Sequence, residues 1–217
     1  MFREILALLV MAALCSCGSS PSFSPFPSDA SLTPAVCDGR LWAPAEALRR
    51  HLDADFVGIS LSILRAAPYY DQVESRAGEP CAADWDAQRC AEVGAALGRS
   101  GVTLTIRRGQ QLEILSASSE IVAALAPVDS PEEALLVALL SGRYSAPLCT
   151  AGFGTVETGD AYQVVLPGDA ECSDADRRGE RREMFFRHLI EVTPDARVEE
   201  RAREPYLTTY CMDTCEC

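Results

Sequence analysis

Between Ser130 and Gly142 the chain writes a helix that has no polar side. Ser130 offers an N-cap hydroxyl, Pro131 suits the first helical position, and Glu132 and Glu133 put acids in the first turn, with Glu133 placed to complete a capping box. The body, Ala134-Leu-Leu-Val-Ala-Leu-Leu140, is apolar nearly all round, so the helix must be covered on every side and belongs between layers of structure. The chain beyond it reads as strands: Gly154 to Glu157, a turn at Gly159-Asp160, Tyr162 to Leu166, Glu183 to Thr193, a turn at Pro194-Asp195, then Arg197 to Arg203. That order predicts a buried helix on an antiparallel meander.

The first half carries its own sheet signals. Pro44 opens a short helix from about Ala43 to Leu52, with Leu48 and Leu52 on one face. Val57, Ile59, Leu61 and Ile63 alternate with Gly58, Ser60 and Ser62, the period of a strand with one buried face. Residues Pro68 to Pro80 read as a loop with room for one helical turn. Asp84 to Gly98 reads as a helix carrying Trp85, Cys90, Val93 and Leu97, and Val102 to Ile114 as a hairpin turning at Arg108-Gly109. A brief helix, Ser118 to Ala126, closes this half. The whole predicts a single α+β domain over residues 36–217, its helices packed on antiparallel sheet, with room within it for two lobes meeting near Pro127. The second half loosely resembles small helix-plus-sheet modules of exported bacterial proteins, PepSY-like and cystatin-like ones among them.

Residues 1–16 read as an export signal, with Arg3 in a short n-region, an apolar block from Ile5 to Leu14, and small residues before Cys17. Ten apolar residues fall short of the roughly 20 a spanning helix needs. Leu14-Cys15-Ser16-Cys17 resembles the lipobox of bacterial lipoproteins, with Leu three places before the modified Cys and a small residue just before it. The resemblance implies Cys17 as lipid anchor, a membrane partner reached through that lipid, and, with Gly18 rather than Asp after it, an outer-membrane location. A plain secretory signal cleaved nearby is the alternative. Residues 17–35, rich in Ser and Pro, read as a tether in which Phe23 and Phe26 are unusual.

Charge narrows the partners. The chain carries −13 with every one of its 19 basic residues an Arg, so its surface repels nucleic acid and anionic headgroups. Without Asn it holds no N-x-Ser/Thr glycosylation site. Setting aside Cys15 and Cys17, the ten cysteines leave an even set: Cys37, Cys81, Cys90, Cys149, Cys172, Cys211, Cys215 and Cys217. In an exported protein this suggests a disulfide framework, with a local Cys81–Cys90 bridge and tail cysteines reaching back to Cys37, Cys149 or Cys172.

Catalytic chemistry finds little footing. Only His51 and His188 are present. His188 shares a strand face with Met184, Phe186, Ile190 and Val192, which predicts a buried, hydrogen-bonded structural ring, and His51, after Arg49 and Arg50, predicts a solvent-facing one. Gly98-Arg99-Ser100-Gly101 misses the nucleophile elbow, and Gly152-Phe153-Gly154 lacks what a phosphate loop requires. Asp174, Asp176 and Gly179 fit three EF-hand positions, but Arg178 and Phe185 occupy two others; Asp169 and Glu171 offer at most a loose calcium site. No cofactor motif is present. Cys211-Met-Asp-Thr-Cys215-Glu-Cys217 is the remaining candidate, either structural bridges or soft-metal and thiol-exchange chemistry. The expectation is a non-enzymatic envelope module, with a metal- or redox-handling protein as the alternative.

Overall fold

The computed structural model describes residues 25–38, 41–64, 70–97, 101–141, 144, 149–172 and 182–210. Two four-stranded antiparallel sheets share one helical core. A short ribbon, β1 (Cys37–Asp38) with β2 (Leu41–Trp42), leads into helix α1 (Ala45–His51). The first sheet runs in the order β4-β3-β5-β6, from β3 (Phe56–Leu64), β4 (Tyr70–Gly78), β5 (Val102–Arg108) and β6 (Gln111–Leu115). Helix α2 (Ala87–Leu97) lies between β4 and β5 in sequence, and α3 (Ser118–Leu125) and α4 (Pro131–Leu140) link the sheets. The second sheet is the meander β7 (Gly154–Thr158), β8 (Ala161–Cys172), β9 (Arg182–Val192) and β10 (Val198–Tyr210).

Helix α4 has the surroundings its composition demands. Every residue from Glu133 to Leu139 is buried. It packs on β7, β8 and β9 and against α1 and α3, while α1 packs on β3 and β4. One apolar cluster therefore runs from Val57, Ile59 and Ile106 of the first sheet, through Leu48 and Leu135, to Val164 and Ile190 of the second. That cluster draws residues from both sides of Pro127. Ser130 caps α4 by accepting the Glu133 amide at 3.3 Å, but the Glu133 carboxylate accepts from Asp129 N at 3.1 Å, one residue before the cap.

Two strands of the first sheet depart from expectation. Residues Pro68 to Pro80 hold no helical turn where described: β4 pairs along its length with β3, from Tyr70 opposite Leu64 to Gly78 opposite Phe56. Being an edge strand, it tolerates the polar run Glu74-Ser75-Arg76, which hides the alternation a strand usually shows. Strand β3 is buried on both faces, not one, because α2 sets Val93 and Leu97 over Phe56 on the far side. Gly58 makes room for that helix; a Cβ there would meet the Leu97 side chain at 2.5 Å.

The N-terminal stretch also differs. Phe26 and Leu32 are buried with Phe153, Val165 and Leu189 on the face of the second sheet opposite the helices. Thr33 bridges Thr155, exchanging backbone hydrogen bonds of 2.6 and 2.9 Å. Residues 26–35 of the expected tether are therefore a strap covering the sheet. Ser and Pro disfavour helix and sheet but not packing, and the two apolar side chains gain by leaving water. Gly154 is required under the strap: its φ of 145° lies where side chains are rarely tolerated, and a Cβ would overlap the Thr33 carbonyl.

Candidate functional site

A groove runs along the strap, where it crosses the second sheet. Cys37, just after the strap, is disulfide-bonded to Cys149, with Cα atoms 6.1 Å apart. Beside that bond lies a cleft of about 370 Å³, lined by Asp29, Leu32, Ala35, Thr150 and Phe153 with the two cysteines. A second cleft of about 280 Å³ shares Asp29, Gly152 and Phe153 and extends to Arg187, Glu204 and Tyr206. Arg187, on β9, holds the groove together. Its guanidinium pairs with Glu204 at 2.6 Å and Asp29 at 3.3 Å and lies 5.0 Å over the Phe26 ring. A groove with an apolar floor and one half-buried guanidinium between two carboxylates can grip a ligand.

His188 is enclosed, as its strand face predicts, but not satisfied as expected. The ring packs edge-on against Tyr144, centroids 5.1 Å apart, and against the backbone of Gly168, where a Cβ would overlap Nε2. Nδ1 stands 3.2 Å from Glu200, yet neither ring nitrogen has an aligned hydrogen-bond partner among the described residues. A ring closed off in this way reaches no substrate.

His51 is exposed, as expected, but its ring is not without partners. At the end of α1 it turns onto the start of α4, with Nε2 2.9 Å from Asp129 Oδ1 and 3.0 Å from Glu133 Oε1. The Glu133 side chain is only 1% exposed. Burial pushes its carboxyl above the ordinary range, opposed by the Asp129 amide and the His51 charge. In the sequence Glu133 reads as a cap, and nothing there links it to a histidine far upstream; only the contact of α1 with α4 joins them.

Cys81 is disulfide-bonded to Cys90, which ties the approach to α2 onto its first turn. The Cys37–Cys149 bond removes both as partners for the tail cysteines. Cys172 ends β8; Cys17, Cys211, Cys215 and Cys217 lie outside the described residues, as do Asp174, Asp176, Gly179 and most of the Gly98–Gly101 stretch. Glu171 pairs with Arg203 at 2.6 Å, so a cation would have to compete with a guanidinium for it. Gly152-Phe153-Gly154 leads into β7 and not into a helix. Among the described residues no helix is long and apolar enough to cross a membrane. Comparison with family models, with curated proteins and with solved structures finds no match to this chain.

Proposed function

We propose that this chain is a lipid-anchored protein of the cell envelope, held at the outer membrane through Cys17, whose disulfide-braced domain is a non-enzymatic binding or structural module. The observation that carries the reading is the joining of Cys37 to Cys149 and Cys81 to Cys90. Such bonds persist in oxidising compartments, where an export signal would deliver the chain. The groove at the strap supplies a place for a ligand, with an apolar floor of Leu32 and Phe153 and Arg187 already paired to Glu204 and Asp29 at one end. The strap that borders this groove is also close in sequence to the proposed anchor.

Expression in a Gram-negative host with labelled palmitate tests the anchor. The expected result is label on the protein, recovery with outer membrane, and loss of both in Cys17→Ser. A wild-type protein without label, or one recovered in the soluble fraction, overturns the proposal. The alternative is metal or thiol chemistry at the tail. With four cysteines already paired, the three tail cysteines have Cys172 as their remaining partner between the anchor and the tail. Fewer than two free thiols in the oxidised protein, with no bound metal, would remove that alternative.

A further inference from the structure

The junction of α1 with α4 gathers an imidazole and two carboxylates. We infer that His51, Asp129 and Glu133 form a binding site for a divalent transition-metal ion, Zn²⁺ being the ion their chemistry fits best. Nε2 of His51, Oδ1 of Asp129 and Oε1 of Glu133 all lie within 4.8 Å of one another. Atoms that share one Zn²⁺ at about 2.0–2.2 Å stand about 3–3.5 Å apart, so the two contacts of 2.9 and 3.0 Å need adjust by only a few tenths of an ångström. One imidazole and two carboxylates suit zinc better than magnesium or calcium, which prefer oxygen alone.

Hydrogen bonding by itself accounts poorly for the arrangement. A single proton on Nε2 can point at one acceptor, yet two carboxylates stand at nearly equal distance from it. One of them belongs to a side chain only 1% exposed, where an under-compensated charge is costly. The negative potential extends beyond the pair: the Tyr162 hydroxyl is pushed upward by its burial and then by Glu157, Asp129, Glu133 and Glu132. The helix dipole of α4 opposes a cation here, but its roughly half charge is outweighed by two carboxylates. The site is also held from behind. Oε2 of Glu133 accepts from the Asp129 amide and the Glu133 amide is fixed by Ser130, which leaves Oε1 directed at His51. Asp129, at 60% exposure, and His51, at 30%, leave the outer side open for water or an exogenous ligand to complete the coordination.

The test is calorimetric titration of Zn²⁺ into the oxidised, chelator-stripped full mature protein, beside His51→Gln and Asp129→Asn. Asp129 is exposed, so its amide variant spares the core, and far-ultraviolet circular dichroism checks that each variant is folded. One ion per chain is expected, with binding weakened at least tenfold in each folded variant. No binding up to 1 mM Zn²⁺, or equal binding in the folded Asp129→Asn protein, overturns the inference. Substitution with Co²⁺ separates this site from the tail cysteines: weak visible bands alone support histidine and carboxylate ligands, whereas intense thiolate charge-transfer bands that persist in His51→Gln place the ion elsewhere and refute it.

Discussion

Glu46 shows how a single exposed residue sets a measurable pH response. Its carboxylate accepts from Arg49 at 2.9 and 3.0 Å and from Arg50 at 2.9 Å, and the Arg49 bonds, then Arg50, draw its pKa down to about 2. A carboxyl whose folded value is depressed stabilises the fold above its ordinary value near 4.5 and loses that contribution as pH falls toward 2. Acid unfolding of Glu46→Gln should therefore converge on wild type below about pH 2 and lie under it above about pH 5, with the gap shrinking in salt. A gap unchanged by pH would show the pair has no such role. Gly154 makes a sharper prediction: Gly154→Ala forces a side chain into a positive-φ position against Thr33 and should cost about 1–3 kcal/mol. Limited proteolysis should then cut within the strap, at residues 26–35, before anywhere in the sheets. A variant as stable and resistant as wild type would mean the strap does not depend on that close approach.

Helix α4 is the element on which both sheets depend, and its fate is legible in the sequence because every signal for it is local. The N-cap, the early proline and the apolar run lie in one short segment, and burial from Glu133 to Leu139 follows from them. Leu136→Ala should destabilise by about 2–5 kcal/mol in denaturant titration, and Ser130→Ala by about 1 kcal/mol. A Leu136→Ala cost below about 1 kcal/mol would be inconsistent with a helix covered on all sides. The edge strand β4 is not legible, since its partner supplies what its own sequence lacks, an apolar alternation. The strap is hidden for a related reason: Phe26 and Leu32 are isolated among Ser and Pro, and only the outer face of β8 and β9 gives them a surface to cover. The grouping of His51 with Asp129 and Glu133 lies beyond sequence because its spacing matches no motif and arises from helix packing alone.

Across the full domain, the Cys37–Cys149 bond closes a sequence separation of 112 residues and joins the strap to the loop before β7. A cross-link over that span restricts the unfolded chain by about 4–5 kcal/mol on the chain-entropy view. The Cys37→Ser/Cys149→Ser double variant should unfold at correspondingly lower denaturant, and equal midpoints would show the bond to be dispensable. That stabilisation exists only where thiols oxidise, so fold and compartment stand or fall together. Intact-mass and peptide mass spectrometry of the native protein reads both at once. A chain beginning at an acylated Cys17, with Cys37 joined to Cys149 and Cys81 to Cys90, is the expected finding; an unprocessed Met1 with all cysteines reduced would refute the proposed link between export and fold.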